Sequence, residues 1–159
     1  MKPSRKSRGP RPGSIVRVEG LSYGDLDEHL GYVLRRAQLA GFDAFHRATA
    51  SVDITPARYT AFTIIGANPG LTQSALGAAL GTARSGAMTV VNWMEKRGLV
   101  ERRNRPGDGR SWGLHLTRRG EARLRELNRR VRSEDTAFAG RLSPHELGEL
   151  RRLLGKLIE

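Results

Sequence analysis

The stretch KRGLVERRNRPGDGRSWGLHLTRRG, residues 96–120, decides the fold of this chain. In its second half Trp112, Leu114 and Leu116 alternate with other residues, as in a half-buried strand. Residues 99–103 form a candidate partner strand before the Pro-Gly and Asp-Gly turn, so the stretch predicts a hairpin. The stretch has only two acidic residues, Glu101 and Asp108. Its basic residues are Lys96, Arg97, Arg102, Arg103, Arg105, Arg110, Arg118 and Arg119. We therefore expect a negatively charged partner outside the chain to neutralise these basic residues.

The whole chain shares this excess of positive charge. Its 159 residues carry a formal net charge of +12, and its pI is near 11.3. Such a surface attracts polyanions, of which nucleic acid is the commonest and an anionic membrane the chief rival. No apolar run in the sequence is long enough to span a bilayer. The lack of cysteine excludes disulfides and thiolate metal sites.

The start of the chain, MKPSRKSRGPRPGS, is basic and too poor in apolar residues to fold alone. We assign residues 1–20 to a flexible basic arm, which either tracks DNA or is a solvated tail. The segment lacks the apolar core and cleavage site of a secretory signal. We therefore expect a cytoplasmic protein.

Two helices are predicted in the first half of the chain. Asp25 and Glu28 have the spacing of a capping box, and apolar residues then recur at steps of three and four, which predicts a helix over 26–49. Thr55 as N-cap, followed by Pro56, starts the next helix. The buried side of that helix carries Tyr59, Phe62 and Ile65.

A helix, a short turn and another helix follow. Pro69 and Gly70 end the second helix, and Thr72 is placed to cap a short third one. The predicted buried residues of the third helix are Leu76, Ala79 and Leu80. A fourth helix is predicted over 84–97, with Gly98 at its end. Its inward side carries Ala87, Val90 or Val91, and Met94, and its outward side carries Ser85, Gly86, Thr89 and Asn92.

Two further helices are predicted after the hairpin. The first spans about 119–140, with an apolar stripe of Leu124, Leu127, Val131 and Phe138. The last begins with a capping box of Ser143 and Glu146, with Pro144 in its first turn. Its apolar stripe is Leu147, Leu150, Leu154, Leu157 and Ile158. Because the apolar stripes at both ends of the chain exceed what a lone protomer of this size covers, we expect a dimer.

This order of elements is that of a winged helix-turn-helix, mainly α with a small two-stranded β wing. In that fold the second helix of the pair enters a major groove, and the hairpin reaches the backbone or minor groove beside it. Phosphate then supplies the missing negative charge. The predicted DNA-binding residues are Arg84, Ser85, Thr89, Asn92, Arg102, Arg103 and Arg105. The hairpin arginines are expected to contact phosphate, as most protein–DNA hydrogen bonds do.

The sequence also resembles the multiple-antibiotic-resistance regulator (MarR) family of bacterial transcription factors. The resemblance runs from about residue 25 to the C-terminus, through ITPARYTAFTII, LTQSALGAAL, VVNWMEKRGLVERR, RPGDGRSWGLHLTRRG and LSPHELGELRRLLGKL. Asp108 and Arg110 fall where the family has an Asp-x-Arg motif. The resemblance implies that Asp108 braces wing arginines and that Arg110 probes the minor groove.

The resemblance further implies an intertwined homodimer whose first, fifth and sixth helices interlock. We accordingly divide the chain into the arm and a single domain over 21–159. Within that domain, 24–50 and 121–159 are assigned to dimerisation and 55–120 to the DNA-binding lobe. A small-molecule pocket is implied between these two parts.

Aromatic residues on the first two helices are candidates for lining that pocket, although aromatic residues at helical spacing are more often simply core. They are Phe42 and His46 on the first helix, and Tyr59 and Phe62 on the second. Arg36 or Arg47 is a candidate partner for a ligand carboxylate. The ligand class implied by the resemblance is an aromatic acid, a phenolic compound or its coenzyme A (CoA) thioester.

The sequence contains no catalytic motif, and the spacing of His29, His46, His115 and His145 does not indicate a metal site. We therefore expect neither an enzyme nor a cofactor. The sequence favours a dimeric repressor that binds a palindromic operator and is released by the ligand. The charge and the arm leave one alternative, a sequence-independent nucleic-acid packaging or RNA-associated protein.

Overall fold

The computed structural model describes residues 17–105 and 108–158, without the side chains of Arg84, Arg105 and residues 108–111. Its architecture is mainly helical with one two-stranded antiparallel sheet, as the sequence predicts. In chain order the elements are a 3-10 helix Gly24–Glu28, α1 Leu30–Ala48, α2 Pro56–Ala67, α3 Gln73–Ala79, α4 Arg84–Lys96, β1 Val100–Arg105, β2 Asp108–Leu116, α5 Arg118–Ala139 and α6 Pro144–Ile158.

Helices α2 and α3 begin with the N-caps that the sequence predicts. The Thr55 hydroxyl accepts the Arg58 amide at 3.3 Å, and the Thr72 hydroxyl accepts the Ala75 amide at 3.2 Å. Each bond satisfies an amide that the first turn of a helix leaves without a partner. Between the two helices, Gly70 adopts a φ of +86°, a conformation that favours glycine.

The buried side of α3 differs from the prediction. Leu76 is fully buried as expected, but Ala79 is exposed, and the second buried position is Gly77. The helix has only seven residues and packs mainly against α4. Its last turn therefore extends past the core, which leaves Ala79 at the surface.

Strands β1 and β2 pair in the register Val100 to Leu116 and Arg102 to Leu114. Leu114 is buried, and its backbone also bridges to Leu71. Trp112 is 52% exposed, although the predicted alternation places it on the buried side of the strand with Leu114 and Leu116. The hairpin continues beyond the core at this point, so the indole has no core neighbours to cover it.

The hydrophobic core lies inside the lobe formed by α2, α3, α4, the sheet and the first half of α5. Its largest fully buried side chains are Phe62, Ile65, Leu76, Val91, Met94, Leu114 and Leu127. The predicted inward positions Ala87, Val91 and Met94 of α4 are all fully buried. The periodicity of α4 therefore identified its core face.

A short junction joins the sheet to α5. The Thr117 hydroxyl donates to the Gly98 carbonyl at 2.7 Å and accepts the Gly120 amide at 3.0 Å, which caps α5. Gly120 lies so close to the Leu99 carbonyl that a Cβ atom at this position would overlap it. The end of α4, the start of β1 and the start of α5 therefore meet without room for a side chain.

The first helix begins later than predicted. Residues Gly24–Glu28 form a separate 3-10 turn, and α1 starts at Leu30 without a side-chain cap from Asp25 or Glu28. The neighbouring Asp27 pairs with both Arg17 and Arg36. The Arg36 pair joins this turn to α1. The expected capping box does not form because α1 begins five residues after Asp25, with His29 as its N-cap.

The final helix shows the predicted capping box but buries none of its residues. The Glu146 carboxylate accepts the Ser143 amide at 2.7 Å, and the Ser143 hydroxyl accepts the Glu146 amide at 3.3 Å. Among the described elements, none packs extensively against α6. Large apolar side chains are consequently exposed along it at Leu150, Leu153, Leu157 and Ile158.

Candidate nucleic-acid interface and neighbouring cavity

The outward face of α4 carries the predicted polar residues. Ser85, Thr89 and Asn92 are all exposed on the same side of the helix. Sequence reasoning missed Met88, which is 46% exposed on this helix. A side chain of this kind makes apolar contact with a thymine methyl group in a major groove. The face therefore offers both polar and apolar side chains for contact with bases.

The N-terminus of α4 has an N-cap, Ala83, whose side chain cannot accept a hydrogen bond. The Gly86 amide donates to the Ala83 carbonyl at 2.9 Å, so only the amides ahead of it are left for an outside acceptor, and the helix dipole favours a negative one. Gly86 packs so tightly against the Thr82 hydroxyl that a Cβ atom there would overlap it. Any larger residue at position 86 would force the Thr82 hydroxyl to turn away from the start of α4.

Two hairpin arginines are held by acidic neighbours. Arg102 bonds to Glu95 at 2.9 Å and also donates to Asn92 at 3.3 Å, which ties β1 to α4. Arg103 bonds to Glu101 at 2.5 Å on its own strand. Arg102 thus fixes the angle between the hairpin and the helix, whereas Arg103 projects from the strand with its guanidinium exposed.

The remaining predicted DNA-binding side chains, those of Arg84, Arg105, Asp108 and Arg110, lie outside the described part of the structure. The role of Asp108 as a brace for Arg110 remains a prediction. The backbone of β2 does show where the second strand of the hairpin begins, because Asp108 pairs with Arg105 after an irregularity next to Asn104. Residues 1–16 of the predicted arm also lie outside the described residues.

The five predicted ligand-binding residues are spread over different surroundings. Arg36 pairs with Asp27, and Phe42 is exposed on α1. The ring of Tyr59 lies 5.5 Å from that of Phe45, and its hydroxyl donates to Asn128 at 2.9 Å. The His46 ring lies 6.1 Å from Phe45, on the same helix. Phe62 is fully buried and lines a cavity that the other four residues do not line.

That cavity has a volume of about 520 Å³ and lies between the loop before α2, the end of α4 and the first half of α5. Its apolar lining consists of Val52, Ile54, Phe62, Trp93, Leu99, Ala122 and Leu127, and its charged lining consists of Asp53, Arg97, Arg119, Arg123 and Glu126. Hydrogen bonds from Arg123 and Arg130, with that from Arg123 the stronger influence, lower the pKa of Glu126. An apolar floor with a few charged groups suits a small aromatic anion.

An acidic residue that the sequence analysis overlooked organises the mouth of this cavity. The Asp53 carboxylate accepts Arg58 at 2.8 Å, Arg97 at 2.9 Å and the Trp93 indole N–H at 3.3 Å. The guanidinium carbons of Arg58 and Arg97 each lie 4.2 Å from the centre of the Trp93 ring. No local pattern could have joined Asp53 to Arg97, because the two are 44 positions apart in the sequence.

Within residues 17–105 and 108–158, no group of three His, Asp or Glu side chains is placed to hold a metal ion. Every helix in this part of the chain is too short or too polar to cross a membrane.

A comparison with known proteins places this arrangement in a family. A Thauera aromatica protein, named as a transcriptional regulatory protein for the hcr operon, is 40% identical over 154 residues, which cover 96% of this chain and 92% of that protein. A model of the MarR family matches residues 52–111, from the loop before α2 into β2. The chain belongs to the MarR family. This MarR-family chain is a transcriptional regulator.

Solved MarR-type structures share the fold over most of their length. The repressor CouR bound to a 23-mer DNA duplex superposes with a TM-score of 0.82 at 33% identity, covering 87% of this chain and 99% of CouR. CouR bound to p-coumaroyl-CoA superposes with a TM-score of 0.78 at 31% identity, and the match covers 87% of this chain and 98% of CouR. The Mycobacterium tuberculosis MarR family protein Rv2887 in complex with salicylic acid superposes with a TM-score of 0.65 at 27% identity. The match covers 80% of this chain and 95% of Rv2887.

Proposed function

We propose that this MarR-family regulator is a dimeric repressor that binds a palindromic operator and leaves it when a small aromatic effector binds. The observation that carries the proposal is the exposed face of α4 beside the basic hairpin, in a lobe that superposes on CouR bound to DNA. Helix α4 lies in a major groove, with Ser85, Thr89 and Asn92 toward the bases. The hairpin arginines contact backbone phosphate on the flank of α4.

The dimer is formed by the helices at the two ends of the chain. Helix α6 has a row of exposed leucines and lacks an extensive neighbour among the described elements, as an interface helix does before its partner is added. A groove of about 570 Å³ separates Leu34 and Gln38 of α1 from Leu154 and Leu157 of α6. A second copy that fills this groove covers both helices at once.

The effector is an aromatic or phenolic acid, or the CoA thioester of one. Two observations support this class. Relatives of the same fold bind p-coumaroyl-CoA and salicylic acid. The cavity beside α4 combines an apolar floor with Arg97, Arg119 and Arg123. Because a ligand that prefers a different spacing of the two lobes weakens DNA binding, effector and operator reduce each other's affinity by one common factor.

A footprint on DNA from the source genome tests the DNA-binding part of this proposal. A repressor protects one short inverted repeat, with half-sites about 10 base pairs apart from centre to centre. Inserting about five base pairs between the half-sites places one of them on the opposite side of the duplex and abolishes tight binding. Protection without a discrete site would instead identify a packaging protein.

The effector part is tested on the same operator by fluorescence anisotropy. Salicylate and p-coumaroyl-CoA are titrated into the protein–DNA complex at fixed salt concentration. Release of the DNA by one or both confirms an effector of this class, with a shift in operator affinity of about 5-fold to 150-fold. If neither compound changes the affinity at saturating concentration, the proposed effector class is wrong.

A further inference from the structure

The positive charge at the mouth of the cavity is only partly neutralised. Arg58 and Arg97 both lie over the Trp93 ring, and the single Asp53 carboxylate serves both of them. The indole face attracts each guanidinium, but the two cations repel one another. One carboxylate leaves one of the two charges without a counterion within this cluster, so the cluster favours the arrival of a further anion.

The Asp53 carboxylate lies where an entering carboxylate would have to bind. Asp53, Trp93 and Arg97 all line the cavity, and Ile54 and Phe62 form part of its apolar lining. An aromatic ring laid on that apolar surface directs its acid group toward the charged mouth. The first arginine it meets there, Arg97, already has its guanidinium bound to Asp53 at 2.9 Å.

The Asp53 side chain can also move away from Arg97. Its side chain is 64% exposed, so water can solvate the carboxylate once the arginine is lost. It belongs to the loop between α1 and α2, whereas Arg97 is the residue that caps the C-terminus of α4. Breaking the pair therefore removes one of two polar contacts that join Asp53 to the helix carrying the predicted base-reading residues, the other being the hydrogen bond from the Trp93 indole N–H.

We propose that Asp53 is an internal occupant of a carboxylate subsite, and that the carboxylate of an aromatic acid displaces it from Arg97. The inference rests on the proposed function for its aromatic ligand and adds the event by which that ligand acts on α4. Bound acid separates the Asp53 side chain from Arg97 at the end of α4, whereas the operator-bound form keeps the two paired. By reciprocity, the acid and the DNA weaken each other through this one contact.

Nuclear magnetic resonance of the indole N–H groups tests the exchange without DNA. The chain has two tryptophans, and a Trp112→Phe background leaves Trp93 as the single indole signal. We expect salicylate to shift that signal saturably, because the Trp93 N–H loses Asp53 as its acceptor. In Asp53→Ala the internal competitor is absent, so salicylate binds more tightly. The gain is about tenfold if the pair is closed about 90% of the time.

Asp27→Ala is the matched control. It removes another exposed carboxylate shared by two arginines, Arg17 and Arg36, which lie outside the lining of the cavity. Salicylate affinity should stay unchanged in Asp27→Ala, and a gain there would overturn the assignment of the carboxylate to Arg97 in favour of Arg36, which Asp27 otherwise pairs with. Acetate alone should shift the Trp93 signal of Asp53→Ala, because a small carboxylate enters the vacated place, and should leave the Asp27→Ala protein unaffected.

The operator measurement completes the test. Asp53→Ala should bind salicylate, but its operator affinity should respond to salicylate far less than that of wild type. Equal salicylate affinity in wild type and Asp53→Ala, or a Trp93 signal that salicylate does not move, overturns the exchange. Release of wild type by either compound in that case leaves the proposed function standing. If salicylate moves Trp93 and binds Asp53→Ala more tightly but neither compound releases the operator, the subsite is supported and the proposed effector response is wrong.

Discussion

The DNA-binding lobe buries its large apolar side chains, whereas helix α6 leaves its own exposed. In the lobe, Phe62, Ile65 and Met94 are fully buried by the chain's own elements. In α6, Leu150 and Leu157 remain 42% and 58% exposed, and no residue is buried. The lobe therefore contains the interactions that stabilise it, whereas α6 depends on a surface that a single protomer does not supply. Mutations in the two regions should differ in how their effects depend on protein concentration.

The largest expected effect is in the lobe. Phe62→Ala should lower the free energy of unfolding by about 3–5 kcal/mol, because it removes a fully buried ring and leaves a cavity among well-packed neighbours. Urea unfolding at several protein concentrations measures it. The loss should be nearly the same at each concentration when mutant and wild type are compared at equal concentration. A change below about 1 kcal/mol would show that the lobe core repacks easily.

The next effect is in α6. Leu150→Asp should weaken the dimer by about 2–4 kcal/mol, since it places a carboxylate in an apolar interface. Sedimentation at micromolar concentration should then show monomer. Arg151→Asp, at the adjacent exposed position, introduces the same side chain outside the apolar stripe and should leave the dimer largely intact. A wild-type protein that is monomeric under these conditions would refute the proposed assembly.

A smaller effect separates two kinds of DNA contact within the lobe. Arg103→Ala should weaken binding to all sequences alike and reduce the slope of log affinity against log salt by about one unit, the signature of one lost phosphate contact. Thr89→Ala should instead change which bases are preferred, because Thr89 is on the exposed face of α4. Affinity selection on randomised operators distinguishes them. Identical sequence preferences in the two mutants would contradict this division.

The smallest expected effect is the loss of the capping box at the start of α6 at low pH. Hydrogen bonds from the Ser143 amide, and secondarily from its hydroxyl, lower the pKa of Glu146. The folded pKa is thus below the unfolded one, so the capping box stabilises α6 above about pH 4.3 and loses this contribution as pH falls through the lowered folded pKa. The Ser143 amide shift should titrate with a midpoint below about 4.3 in wild type and lose this transition in Glu146→Gln.

Sequence reasoning succeeded where one helix turn or one periodic pattern contains the whole signal. Thr55, Thr72 and Ser143 were identified as caps because each acts on an amide three positions away. It failed at Asp25 and Glu28, whose spacing fits a capping box equally well. These residues instead form a separate 3-10 turn, and α1 begins only at Leu30, a difference that residue spacing does not encode.

The candidate site was predictable to a similar extent. The outward face of α4 follows from helical periodicity, and Ser85, Thr89 and Asn92 are exposed as expected. The cluster around Asp53 was not predictable, because residues from the loop before α2 and from the end of α4 meet only in the folded lobe. The exposure of Trp112 depends on how far the hairpin extends past the core, which alternation along a strand does not encode.

The tight junction at Thr117 has a mechanical consequence. The hydrogen bond to Gly98 and the absence of room beside Gly120 fasten α5 rigidly to the lobe. From that fastening, α5 extends over 22 residues, or about 33 Å. It is a lever arm: a rotation of the lobe by about 5° moves the far end of such a helix by about 3 Å. Angular changes too small to disturb the lobe core thus become displacements at the opposite end of the molecule, and the two lobes of a dimer would adjust their separation on the DNA in the same way.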